Sequence, residues 1–266
     1  MLADSREEAA VLAGDLKNLN ESRKEMTAQG LEKAIEQVES TSMLEDTVLV
    51  VFLPECHESL AGIIAGRLRE RYHKPSFVLT RGEEGVKGSG RSIESYSMYE
   101  KLCECKEYLT KFGGHPMAAG LSLEEENVER FRRKLNEQSG LTEEDLVEKV
   151  TIDVPMPIHY IRKNLVQELS LLEPFGKGKG NEKPLFAQKN LWVSQMRVFG
   201  KNRNVVKMRL TDENGYPMDG VYFGNGDEFA EEGRGKRKIS IVYYPDINMY
   251  QGRESLQVII RHYQFD

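Results

Sequence analysis

The residues best suited to chemistry in this 266-residue chain fall in Phe112-Gly113-Gly114-His115-Pro116-Met117-Ala118-Ala119-Gly120. Glycines before a histidine allow close backbone approach to a ligand, and the Ala-Ala-Gly run removes side-chain bulk nearby. Such a site suits a phosphate: His115 can donate a hydrogen bond to a phosphate oxygen, with N–H groups of a Gly113-Gly114 turn assisting as an anion nest. A bare Gly-Gly-His would read as a tight turn with a surface histidine, but the full pattern favours the ligand site. Gly88-Ser89-Gly90-Arg91-Ser92 is the second candidate. Its glycines expose backbone donors, Arg91 can grip phosphate through a bidentate fork, and Ser89 and Ser92 can add hydroxyls. Alone it would read as a solvated loop, and it gains weight beside the histidine motif. The third candidate, His57 to Arg67, opens a helix whose N-terminus favours anions; Gly62 and Gly66 within it suit close packing more than ligand contact.

The elements that must carry these residues follow from hydrophobic periodicity. Asp4 to Ser40 reads as two helices interrupted at Gly30, with stripes at Ala9, Leu12, Leu16, Leu19 and at Leu31, Ala34, Ile35, Val38. Val48 to Leu53 suits a buried strand, Ser59 to Arg71 a helix, Phe77 to Thr80 a strand, Met98 to Cys105 a short helix and Asn127 to Glu137 an amphipathic helix. Such alternation predicts an α/β domain. Gln138-Ser139-Gly140 ends the last helix, so the expected division is linker helices over 1–42, an α/β domain over 43–140 and a second domain over 141–266. In the second domain Lys149 to Val154 alternates as a strand, and Arg162 to Leu172 is helical. Further β-like runs cover Leu191 to Phe199, Val205 to Leu210, Gly220 to Phe223, Ile239 to Tyr244 and Leu256 to Ile260. Asn214-Gly215 and Asn225-Gly226 read as turns, which predicts a small antiparallel β-barrel.

Composition bounds the function. The net charge of −6 argues mildly against nucleic acid. The acids, however, concentrate in apparent helices, while Arg197, Lys201, Arg203, Lys207 and Arg209 crowd one stretch, so local basic surface is compatible with the total. Three cysteines suit neither a disulfide framework nor a zinc site. The longest apolar run, Val48 to Leu53, is far too short for a membrane span, and the N-terminus lacks the apolar stretch of a signal peptide; the expected address is cytoplasmic, with no membrane partner.

The glycine-histidine motif, the arginine segment and the His57 segment, in this order, resemble the DHH-associated domain of the DHH phosphoesterase family. Lys87-Gly88-Ser89-Gly90-Arg91-Ser92-Ile93 resembles the substrate-contacting arginine segment of the RecJ branch. Leu172-Glu173-Pro174-Phe175-Gly176 with Asn181-Glu182-Lys183-Pro184 resembles the approach to that branch's oligonucleotide-binding barrel, and Ile247 to Gln257 its last hairpin. The sequence departs from the pattern at Cys56-His57, where Trp-His is usual, and in extra Lys and Gly residues before Asn181.

The resemblance implies a DHH-associated α/β domain followed by an OB-like barrel, acting in 5′ to 3′ degradation of single-stranded DNA with Mn²⁺ or Mg²⁺. It assigns phosphate contact to His115 and Arg91, supported by Ser89, Ser92, Gly113, Gly114 and His57. Barrel candidates are Phe199, Lys201, Arg203, Lys207, Arg209, Tyr222, Phe223 and Arg253, with Trp192 expected in the core. No Asp-His-His and no Asp-x-Asp occurs, so the metals are expected to be held by a DHH domain that is a separate partner of these parts, and none by this chain. The alternative is a stand-alone, non-catalytic single-strand-binding accessory protein.

Overall fold

The structure, a computed structural model, describes residues 3–83, 85–176 and 182–266. It forms two compact units, Met1–Glu148 and Lys149–Asp266. Residues 141–148 belong with the first because Leu141 and Leu146 pack on its core.

The first unit opens with α1 (Arg6–Glu39), capped by Ser5, whose side chain accepts the Glu8 N–H. It is one continuous helix, which corrects the expectation of two. Gly30 does not break it, since glycine inside a helix costs only about 1 kcal/mol. Its role is contact: a Cβ there would stand 2.7 Å from Ile64 Cδ1. The stripe at Ala34 and Val38 is buried against the following elements. The earlier stripe is not, and Leu12, Leu16 and Leu19 are exposed.

Next come β1 (Leu49–Phe52), α2 (Glu58–Tyr72), β2 (Ser76–Arg81), β3 (Val86–Arg91), α3 (Met98–Glu104), β4 (Lys111–His115), β5 (Ala118–Leu123) and α4 (Val128–Glu137). The strands form a mixed sheet in the order β1-β2-β3-β5-β4, with only β1 and β2 parallel. One face buries Phe77, Leu79, Leu121, Leu123, Phe131 and Leu135. The other buries Leu49, Val51 and Val78 under Leu60, Ile64 and Leu68 of α2 and the end of α1. Gly88-Ser89-Gly90-Arg91 is an inner strand rather than a loop. Its glycines are there for packing: a Cβ would collide with Leu79 Cδ2 at Gly88 and with Met98 Sδ at Gly90.

The second unit contains β6 (Val154–Pro155), α5 (Lys163–Ser170), β7 (Phe186–Phe199), β8 (Val205–Thr211), β9 (Pro217–Phe223), α6 (Gly226–Glu232), β10 (Lys238–Tyr250) and β11 (Arg253–Phe265). The order β7-β8-β9-β11-β10 closes through β10–β7 pairing into a five-stranded barrel. The β9–β11 pair is parallel, which corrects the all-antiparallel expectation. Leu191, Met208, Leu210, Ile241, Tyr243 and Val258 are among its buried residues. Two further expectations change. Of Lys149 to Val154 only Val154 enters a strand ladder: Asp153 bonds Leu185 just ahead of β7, and the residues before it pair with no strand. Asn225-Gly226 is not a hairpin turn: Asn225 caps α6 by accepting the Glu228 N–H. Asn181 lies outside the described residues. Among them, no helix is long and apolar enough to cross a membrane.

Candidate nucleic-acid interface

Strand alternation sends every second residue of β3, β5 and β4 to one face, and the register lines them up in rungs. Arg91, Ala118 and His115 form one rung, Ser89, Gly120 and Gly113 the next, and Lys87, Ser122 and Lys111 the third. A Cβ at Gly113 would meet nothing within 4 Å, and one at Gly120 only the Gly88 carbonyl at 3.9 Å. These residues floor a cleft of about 520 Å³ whose walls include Glu58, Ser59, Lys87 and Lys111. The Lys87–Glu58 ion pair, at 2.7 Å, ties β3 to the start of α2.

Arg91 lies along α2. A Cβ at Gly62 would come within 2.8 Å of its Nη2, and one at Gly66 within 3.9 Å of its Cγ. The two glycines therefore permit close packing, as their spacing predicts, and the partner they admit is this arginine. Its Nη1 donates to the Gly90 carbonyl at 2.7 Å. Among the described residues no carboxylate pairs with it within salt-bridge distance, so a cation stands against small-residue surface one rung beyond the cleft floor. His115 is exposed at the far end of that rung.

Three expectations change here. Gly113 and Gly114 are not a turn but part of β4, and the turn is Pro116-Met117, so the nest reading fails. Gly114 is glycine for a steric reason, with φ at 153° and a virtual Cβ that would collide with the Ala118 carbonyl oxygen. Ser92 is buried and its hydroxyl donates to the Tyr96 carbonyl at 2.5 Å, which removes it from phosphate contact. His57 caps α2, its Nδ1 accepting the Ser59 N–H at 3.2 Å. It lines a hollow with Gly30, Lys33 and Cys56 rather than the glycine-floored cleft.

The barrel's outer face has its own rungs. Phe199, Val205 and Phe223 form one, Arg197 and Lys207 the next, then Ser194, Arg209 and Asp219, then Trp192, Thr211 and Pro217. Phe199 and Phe223 are 45% and 59% exposed, and Lys207 Nζ sits 6.0 Å from the Phe199 ring centre. Arg203 pairs with Asp227 at 2.6 Å and Arg209 with Asp219 at 2.5 Å. Exposed pairs of this kind are worth about 0–1 kcal/mol, so they open cheaply. Lys201 stands in the loop after β7 and Arg253 at the exposed start of β11. Tyr222 leaves the candidate set: its ring stacks on Phe229 at 4.8 Å and meets Tyr263 edge-on. Trp192 enters it, contrary to expectation, being 47% exposed while Leu191 is fully buried. A single-residue step along a strand reverses the face, and an apolar run conceals that step. Sequence reasoning also passed over Lys236, Arg237 and Lys238, whose signal was the charge run itself. Among the described residues no group of three or more His, Cys, Asp or Glu could hold a metal ion.

A mixed sheet with a glycine-floored cleft, followed by a five-stranded barrel with cations and aromatics outside, defines a phosphoesterase-associated domain joined to an oligonucleotide-binding fold. Family models agree: the DHHA1 domain matches residues 45–140 and the RecJ OB domain residues 152–262. The chain belongs to the RecJ family, corresponding to its C-terminal part. It is 36% identical to the single-stranded-DNA-specific exonuclease RecJ of Bacillus subtilis over 98% of this chain and 33% of that protein. It is 34% identical to that of Escherichia coli over 98% of this chain and 46% of that protein. The crystal structure of RecJ in complex with Mn²⁺ from Thermus thermophilus superposes with a TM-score of 0.79 at 26% identity, covering 99% of this chain and 37% of that one. The chain thus spans between a third and a half of the length of these two relatives.

Proposed function

We propose that this chain is the part of a single-stranded-DNA-specific, 5′ to 3′ exonuclease that grips the substrate. The observation that carries the reading is the Arg91–Ala118–His115 rung: two side chains whose chemistry suits phosphate share one sheet face, beside the Gly120–Gly113 floor. Arg91 supplies a permanent charge and a planar fork, Ser89 on the same face supplies a hydroxyl, and His115 supplies a donor from the opposite end. The barrel would hold nucleotides further along by backbone charge and base stacking, without sequence preference.

Among the described residues no group of His, Cys, Asp and Glu fits a metal centre; on this reading Mn²⁺ or Mg²⁺ and the activated water would be held by a DHH domain. That domain would cover the apolar side of α1 at Leu12, Leu16 and Leu19. The cell compartment consistent with DNA processing is the cytoplasm.

The test has two arms. This chain by itself should bind labelled single strands more tightly than blunt duplex, with salt-dependent affinity, and should hydrolyse neither in Mn²⁺. In a chain that includes the DHH domain, Arg91→Ala and His115→Ala should each lower turnover sharply with unchanged melting. Equal affinity for duplex and single strand would leave only an electrostatic surface, and robust hydrolysis by this chain that disappears in His115→Ala would reveal an active site inside it.

A further inference from the structure

Lys238 pairs with Trp192 across the β10–β7 seam that closes the barrel. Its Nζ stands 4.7 Å from the centre of the indole ring. The Arg237 carbonyl accepts the N–H of Val193, so the segment before β10 is fastened beside the same ring. Lys236 and Arg237 are exposed, and neither forms an ion pair among the described residues. In a protein with a net charge of −6, an indole with nearly half its surface open, bordered by unpaired cations, is the reverse of what solubility alone would place there.

We propose that Trp192, Lys236, Arg237 and Lys238 form a second single-strand-binding platform on the barrel, with the indole stacking on a base and the cations taking the flanking phosphates. The inference rests on the reading of the barrel as a single-strand binder and names a place on it that the Phe199–Phe223 end does not include. Continuity supports it. From Val205 to Thr211 the outward residues of β8 run from the Phe199 rung to the Trp192 rung, a distance of roughly 20 Å at about 3.3 Å per residue. Lys207 and Arg209 lie between the ends, with Arg197 and Ser194 beside them on β7. An aromatic at each end and cations between suit a strand of several nucleotides, within the range of roughly 4–16 that OB folds cover.

The chain contains a single tryptophan, so its fluorescence reports this position directly. Oligo(dT) should be titrated into the whole chain while label anisotropy and tryptophan emission are followed together. Quenching that saturates at the anisotropy midpoint is expected, with no quenching by an abasic strand of the same length. Trp192→Ala should weaken binding from about 5-fold to about 150-fold, the range implied by removal of one stacked base. The double variant Lys236→Glu with Arg237→Glu should reduce the salt dependence. Anisotropy binding without quenching, or unchanged affinity in Trp192→Ala, would overturn the platform and leave the surface to some other partner, while the parent reading of the barrel stands. Absence of binding in the anisotropy channel would sink both.

Discussion

Arg91 and His115 stand at the two ends of one rung of the sheet, with only Ala118 between them. Two interstrand steps place their Cα atoms about 10 Å apart, so a phosphate between them would meet a fork from one side and an imidazole from the other. Ala118 keeps the middle of the rung low, and Gly62 lets the arginine lie flat against α2.

Gly62→Ala should separate stability from function. The new methyl would stand 2.8 Å from Arg91 Nη2, the far end of a flexible side chain, which swings away at little cost. Alanine is also favoured over glycine in a helix by about 1 kcal/mol. Melting should hold or rise slightly, while turnover of a chain that includes the DHH domain falls towards that of Arg91→Ala. Unchanged turnover would show that the position of the guanidinium is immaterial.

Gly114→Ala should instead destabilise the first unit. Its φ of 153° and the close approach of the Ala118 carbonyl oxygen leave no room for a methyl, and backbone cannot swing aside. A drop of about 1–3 kcal/mol is expected from denaturant unfolding. Gly113→Ala, where a Cβ meets nothing, should melt as the parent does, and it serves as the control.

Asp212 should govern the acid limit of the barrel. Burial opposes its ionisation, but the Tyr216 N–H, His159 Nδ1 at 2.7 Å and the Asn214 N–H outweigh that and hold its pKa below the ordinary 3.8. A depressed folded pKa gives stability that is present above about pH 4 and is lost as pH falls through that value towards the lower one. Asp212→Asn should lower the melting temperature at neutral pH and flatten its decline in acid. An acid limb as steep as the parent's would assign it to other carboxylates.

Lys207→Glu should weaken single-strand binding and reduce the slope of log affinity against log salt. The slope should change by about 0.7 for each single-strand phosphate that is no longer neutralised. Anisotropy titrations at several salt concentrations measure it, and an unaltered slope would remove Lys207 from the backbone track.

Thiol labelling should follow burial. Burial pushes the Cys105 thiol up to about 11, Cys56 is shifted in the same direction for the same reason, and Cys103 is exposed. A thiolate-directed reagent near pH 8 should therefore modify Cys103 first and Cys105 only on unfolding. Native-state labelling of Cys105 at the Cys103 rate would show that α3 opens readily.

Much of this protein was determined by sequence alone, because its signals are local. The runs at Val48 and Phe77, the helical spacing from Leu60 to Leu68 and the β-like segments after Leu191 report alternation or helical period between near neighbours. The Gly-Gly-His and Ser-Gly-Arg segments carried the family resemblance as short patterns of residue type. Tertiary structure alone decided which residues share a surface. Glycine looks the same in sequence whether it turns the chain, floors a cleft or admits a neighbour, and only packing shows that Gly30 admits Ile64, Gly62 admits Arg91, and Gly113 lies open. Ser92 and Tyr222 have the chemistry of ligand contacts but are occupied by Tyr96 and Phe229. Trp192 sits in an apolar run yet faces outward, because the face a strand residue takes depends on register with β8 and β10, strands that lie far from it in sequence.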